Sequence, residues 1–565
     1  MKLTVIAAQL LLLRAVSFAQ PAGRTPNDPD VIYFHANVLT AAHLRTDDSS
    51  ATPARVTAIA VAHGTIVAVG SDANILRRKG PQTKLVDLNG AFVMPGFNDA
   101  HTHIAGAGQQ KLTIDLDGTK SLAEMQQRIG AFAANARPGS WLRGGGWDHT
   151  KWPSKTLPTR QDIDAVTQGH PAVLERTDGH ILVANSAALA AAGITRDTPD
   201  PPGGKIDHSA DGTPTGIVRE GPATSLIFKI IPPLTPEERR KALTLAIGDA
   251  LAHGVTSVQD LSSWNDFLAL EDLEKAGQLH LRVTEWLAFD TPLDTLKQER
   301  AAHPADDPLL RTGMLKGFMD GSLGSRTAAL AAPYADDPGN SGIPRYDQAK
   351  LDAMAKERAD AGFQLGFHAI GDRANHMALE AFAAADATPE KRYRIEHAQV
   401  LLPADFDSYV KLGIIASMQP SHLLTDMNWA ADRLGRDRAK YSYAWRSMLD
   451  HHIPLAFGTD YPVESVNPFR GLYAAITRQN EAGTKTYQPQ EKLTLNEAIY
   501  AYTQGSAFAE FREKQLGRIE PGFLADFVVL DRDITTATPQ QLLHTHVQQT
   551  VVNGETVYTA TSPSK

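Results

Sequence analysis

The chain has 565 residues, 42% of them hydrophobic and 21% charged, the composition of a folded globular protein and not of a disordered one. Its formal net charge is −9, without the basic surplus that nucleic-acid or membrane-surface partners select. It has no cysteine, which excludes disulfides and thiolate ligands and leaves His, Asp, Glu or a modified Lys to hold any metal.

The first twenty residues, "MKLTVIAAQLLLLRAVSFAQ", read as an export signal. Lys2 supplies a positive start, Leu3–Leu13 an apolar run too short to span a bilayer, and Ser17-Phe18-Ala19 a small-x-small cleavage site. The reading is therefore a signal peptide over 1–19 and a periplasmic or secreted protein. Arg14 fits this pattern poorly, and an uncleaved cytoplasmic N-terminus is the alternative.

A Pro- and Asp-rich linker over 20–30 leads into β-like runs such as "VIYFHANVLT" and "VTAIAVAHGTIVAVG". The far end has the same texture, including "HVQQTVVNGETVYT" with an Asn553-Gly554 hairpin turn. One small β-sandwich built from both chain ends, over 20–95 and 511–565, is the economical reading.

Between these ends, apolar runs alternate with Ala- and Leu-rich helical stretches. Eight runs qualify as strands: "AFVMPGFNDAHTH", "GVTSVQDLS", "LRVTEWLAF", "LLRTGMLKGFMDG", "FQLGFHAIGD", "YRIEHAQV", "GIIASMQP" and "IPLAFGTDYP". This predicts an α/β fold, a (β/α)8 barrel, with a doubly wound open sheet as the alternative. The first strand would end within 96–109 and the rest of the barrel would occupy 236–510. The intervening 110–235 is far longer than a βα loop and predicts an inserted α/β subdomain on the barrel's C-terminal face, where active sites lie.

In such a barrel, polar residues at the C-terminal strand ends converge. His101 and His103, at i and i+2, share a strand face. Lys316 lies inside an apolar run, where a bare ammonium is costly. His368, His397 and Asp460 end later strands. Singly, each has a plainer reading: a core histidine, a helix cap for Asp460, or a Lys316–Asp320 pair. Together, in order on successive strands, they read as one ligand set.

The motifs "PGFNDAHTH", "GGGWDHTKWP", "DGHILVANSAAL", "KGFMDGSLGSRTAAL", "GFHAIGDRANHMAL", "RIEHAQV", "SMQPSH" and "GTDYPVESVNPFRGLYAAITR" resemble the amidohydrolase superfamily. More closely, they resemble its YtcJ-like branch, which includes N-substituted formamide deformylases. The likeness runs from about residue 30 to about 558. It implies a metal-dependent hydrolase on a TIM-like barrel, acting on a C–N bond of a small molecule. His101, His103, His368, His397 and Asp460 match the family's metal ligands, and Lys316 its carboxylated, metal-bridging lysine. The implied cofactor is a divalent metal, zinc by ligand chemistry, as one ion, or two if Lys316 is carboxylated. Asp460 would be general base, then acid.

Weaker candidates surround this set. His180 and Arg326 are candidate oxyanion donors, and Trp147, Asp148 and Trp152 candidate pocket walls, although the tryptophans could equally brace the insertion. Gln419 and His422 could touch substrate, and Glu396 and Asp99 could orient ligands. Two other readings stay open: an esterase or lactonase on the same site, and a non-catalytic binding protein. A homo-oligomer is compatible with the sequence.

Overall fold

The computed structural model describes residues 28–176, 181–202 and 204–561. The leader-like segment 1–19 and His180 lie outside the described residues. No helix among the described residues is long and apolar enough to cross a membrane.

Eight parallel strands form the central sheet in sequence order: β1 (Phe97–Thr102), β2 (Val255–Asp260), β3 (Arg282–Ala288), β4 (Leu310–Phe318), β5 (Leu365–Ala369), β6 (Arg394–His397), β7 (Ile415–Met418) and β8 (Leu455–Phe457). Each falls within one of the eight apolar runs. Most of their residues are buried, as expected of parallel strands covered by helices. The sheet curls until its two edges meet. Beyond the ladders, Thr102 bridges Tyr461, and the Asp460 N–H donates to the His101 carbonyl at 2.8 Å. The fold is a nearly closed TIM-like barrel.

Closure requires strand edges to come very near. A Cβ on Gly458 would lie 2.6 Å from the His101 nitrogen and 2.7 Å from Asp99 Oδ1. Only glycine lets β8 approach β1 this closely.

The run "AFVMPGFNDAHTH" is not one strand. It divides at Gly96: Phe92–Pro95 joins a peripheral sheet and Phe97–Thr102 the barrel. That peripheral sheet has six strands drawn from both chain ends, among them Asn37–Leu39, Phe92–Pro95, Phe527–Leu530 and Val547–Val552. A four-stranded sheet, including Val31–Phe34 and Ala58–Ala62, faces it. Val31, Ile59, Ile66, Val93, Phe527 and Val551 pack into one core between them. The terminal hairpin turns at Asn553-Gly554, both with positive φ (54° and 73°), as the sequence pair predicts. Arg282 at the foot of β3 ties this sandwich to the barrel by donating to both carboxylate oxygens of Asp526.

After β1 the chain passes through helix α1 (Ile104–Lys111) into a separate six-stranded mixed sheet with its own apolar cores. It returns through helix α2 (Pro236–Ala252), whose start is set by a Thr235–Glu238 capping box and Pro236 in the first turn.

Candidate metal centre

Beneath the site, the barrel interior is polar. The Arg394 guanidinium, 1% exposed, donates to Ser417 Oγ (2.7 Å), the Ala100 carbonyl (2.8 Å), Gln259 Oε1 and Glu396 Oε1. Glu396 is thereby fixed, and its other oxygen, Oε2, lies 2.6 Å from His101 Nδ1. Burial alone would raise the Glu396 carboxyl. Arg394 and His101 outweigh it and hold the group down at about 2.

A single bonding pattern runs through the four histidines taken from the sequence. Each has one ring nitrogen beside an acceptor: His101 Nδ1 at Glu396, His103 Nδ1 at the Leu261 carbonyl (3.0 Å), His368 Nε2 at the Gly321 carbonyl (3.0 Å) and His397 Nδ1 at Gln419 Oε1 (2.7 Å). The acceptor favours a proton on that nitrogen and frees the other to act as a donor atom, although at His103 burial is outweighed by Asp460, which faces Nε2 and raises the imidazole above its ordinary value. Burial, followed by the Lys316 charge, lowers His101 to about 3, and burial followed by His368 lowers His397 well below the usual imidazole range. Both rings are neutral donors at physiological pH.

The rings cluster. His101 lies 5.3 Å from His103 and 4.8 Å from His397, and His368 lies 4.5 Å from His397, centroid to centroid. Asp460 stands among them. Its Oδ1 is 3.1 Å from His103 Nε2 and 3.6 Å from His101 Nε2, and its Oδ2 is 3.4 Å from His422 Nε2. Burial pushes the Asp460 carboxyl up, but these imidazoles hold it well below its ordinary value, so it is ionised. Asp460 (φ 60°) and His397 (φ 73°) both sit on left-handed backbone, a cost found where side-chain aim is over-determined.

Two donor groups share Asp460: His101–His103–Asp460 and His397–His422–Asp460, the donor atoms of each lying within 4.8 Å of one another. Asp460 Oδ1 and His422 Nε2 are buried without a hydrogen-bond partner. The neutral rings of His101 and His397, an ionised carboxylate and orphaned donor atoms pointing together fit a divalent cation.

Lys316, 1% exposed, has its Nζ 3.0 Å from His101 Nε2 and 5.1 Å from the centroids of Trp286 and Phe318. Burial lowers it to about 8. It does not pair with Asp320, whose carboxylate instead accepts the backbone N–H groups of Ala329, Ile370 and Gly371.

The outlying candidates part from the cluster. Trp147 is fully buried in the insertion core and donates to the Leu174 carbonyl, and Trp152 is likewise buried and donates to the Thr119 carbonyl. They brace the insertion and offer no wall to a substrate. Arg326 pairs its guanidinium with Asp336 at 3.0 Å. Asp148 pairs with Arg176 at 2.8 Å. Gln419 touches the site by orienting His397. Asp99 accepts from Thr459 Oγ1 and the backbone N–H groups of Thr459 and His101, and so aligns the β1 and β8 ends without touching an imidazole. His422 is the residue whose part the sequence understated, although it follows strand β7 as the other candidates follow theirs.

The model of the amidohydrolase family matches residues 84–558. The chain belongs to the amidohydrolase family. This amidohydrolase is 35% identical over 513 residues to YtcJ of Bacillus subtilis, covering 89% of this chain and 96% of that one. It is 27% identical over 541 residues to the N-substituted formamide deformylase of Arthrobacter pascens (93% and 98% covered). Among solved structures, an uncharacterized metal-dependent hydrolase from Pyrococcus furiosus superposes with a TM-score of 0.74 at 29% identity, over 90% of this chain and 99% of that one. The protein is a hydrolase acting on C–N bonds, with a TIM-like amidohydrolase barrel.

Proposed function

We propose that this amidohydrolase cleaves a C–N bond (an amide, N-formyl or cyclic amide) in a small molecule, with metal held by His101, His103, His368, His397 and Asp460. The observation that carries the reading is the pair of donor groups meeting at Asp460. Its similarity to a formamide deformylase supports the bond type. Zinc is the ion best matched to imidazole and carboxylate donors. The leader-like segment 1–19 supports export to the periplasm or medium.

A bound ion would supply a Lewis acid and a water acidified toward neutrality. The Asp460 carboxylate is ionised and would take the proton of the attacking water as its oxygen bonds to the substrate carbonyl carbon. The same carboxyl then returns the proton to the departing nitrogen as the C–N bond breaks. His422, whose Nε2 lies 3.4 Å from Oδ2, favours the ionised form of this carboxyl.

As a carbamate, Lys316 would be a further residue to hold the metal, offering anionic oxygens in place of an ammonium. Its lowered value leaves an appreciable neutral fraction near neutrality. The free amine adds to CO2, losing one proton and exchanging a buried cation for a buried anion.

The test is metal content per chain together with hydrolysis of N-acyl, N-formyl and ester panels before and after chelation. Chelator-sensitive amide cleavage, and one ion fewer per chain in Lys316→Ala than in wild type, support the reading. Ester turnover without amide turnover moves the protein to an esterase or lactonase. No turnover after reconstitution leaves a binding protein.

A further inference from the structure

At the opposite end of the barrel, a second cluster repeats the bonding pattern of the metal centre. Glu271 and Glu274 lie on the helix Trp264–Lys275, which follows β2. His303 and Asp307 lie in the connection between the helix Leu293–Ala301 and the start of β4. Lys316 is near the other end of that strand, roughly 20 Å along it at about 3.3 Å per residue.

The His303 side chain is 6% exposed. Its Nδ1 lies 2.8 Å from Glu271 Oε1, an arrangement equivalent to His101 beside Glu396. The carboxylate holds the proton on Nδ1 and turns the Nε2 lone pair outward. That Nε2 is buried and has no hydrogen-bond partner. It faces Asp307 Oδ2 at 3.6 Å and Glu274 Oε2 at 3.9 Å, and the three donor atoms all lie within 4.8 Å of one another.

These separations are too long for hydrogen bonds. They are close to the spacing of donors around one ion, since ligands on a tetrahedral zinc sit about 3.3–3.5 Å apart. Asp307 is pre-positioned, because its other oxygen, Oδ1, accepts the backbone N–H groups of Leu309 and Leu310. Phe267 packs edge-on against the imidazole and fixes the ring plane. Burial and the neighbouring Asp307 push the Glu274 carboxyl up to about 7. Glu274 and Asp307 remain about one-fifth exposed, which gives an ion a path in.

We propose that Glu274, His303 and Asp307 form a second, structural site for a zinc-type divalent cation, oriented by Glu271 and separate from the hydrolytic centre. The ion would clamp the helix after β2 to the entrance of β4. The three protein donors leave a fourth position for water at this partly exposed site.

The experiment uses the full chain and Zn2+. Metal per chain and the zinc-dependent rise in melting temperature are measured for wild type, Glu274→Gln, His303→Gln and a His101→Asn/His103→Asn chain. Glu274→Gln should hold one ion fewer than wild type and lose part of the zinc-dependent rise, with turnover within about twofold of wild type. The barrel double variant should still bind one ion, and His303→Gln introduced into it should abolish that binding. Equal metal content in wild type and Glu274→Gln, or no ion on the barrel double variant, would overturn the site. Should His303→Gln fail to fold, those two measurements decide the matter by themselves. Because the site lies outside the hydrolytic centre, its failure leaves the proposed reaction untouched.

Discussion

Glu396 and His101, 295 residues apart in the chain, meet at 2.6 Å in the barrel interior, and Arg394 holds the far oxygen of that carboxylate. The contact decides which nitrogen of His101 carries the proton. Glu396→Gln offers the imidazole an amide that can donate as well as accept, and removes the charge that favours Nδ1–H. Metal affinity should fall by about 10- to 100-fold, with the fold retained. Competition against a chelating dye measures it. Unchanged affinity would mean that His101 needs no such partner.

His422 and His103 approach different oxygens of Asp460, at 3.4 and 3.1 Å. His103 also has an acceptor on its Nδ1, the Leu261 carbonyl, in the manner of a ligand. His422→Asn is therefore expected to lower kcat by about a hundredfold while most of the bound metal stays, because the carboxyl that moves the proton loses its alignment. His103→Asn should lose metal and activity together. Metal analysis alongside steady-state kinetics separates the two. Metal loss in His422→Asn would make His422 a ligand.

The histidine and carboxylate cluster was legible because a barrel converts order along the chain into convergence in space. His101, Lys316, His368, His397 and Asp460 each close or interrupt an apolar run, and parallel strands bring such positions to one end. Local sequence carried no such signal for direction. Trp147 beside a glycine run reads equally as pocket or core, and only the packing of Trp152 and Leu174 around it settles that it is core. Arg326 looked available until Asp336, ten residues on, was brought beside it. The break at Gly96 was hidden for a different reason: both halves of the run are apolar and buried, so the change of sheet leaves no mark in hydrophobicity. Glu274 and His303 share no motif at all and meet only because a helix and a loop pack together.

Gly458 is where closure of the barrel and geometry of the site become one problem. Gly458→Ala would put a methyl group against the His101 backbone and the Asp99 carboxylate, and neither can retreat without displacing a ligand. The variant should lose about 1–3 kcal/mol of stability. It should also lose activity beyond what the fraction unfolded explains, because β1 and β8 carry His101 and lead to Asp460. Thermal melts with kinetics at a temperature where the variant is fully folded give both readings. Full activity there would show that the strands can part without moving the donors.

Asp249, on α2, reaches the segment that carries Asp460. It accepts from Tyr461 Oη at 2.7 Å and pairs with Lys111 Nζ at 2.8 Å, and His253 Nδ1 lies 3.4 Å away. Burial works to raise its carboxyl, but these three partners outweigh it and hold the group far below the usual carboxylate range. A folded-state value below the unfolded one, about 3.9, means that ionised Asp249 favours the folded chain. That contribution is fully present above the unfolded value and is lost as pH falls through the folded one. With a quarter of the side chain exposed, screening limits it to about 1 kcal/mol. Asp249→Asn should therefore melt earlier than wild type at neutral pH, and the gap between the two should narrow as pH is lowered below about 4. A gap that stayed constant to low pH would assign the role of Asp249 to its hydrogen-bonding shape and not to its charge.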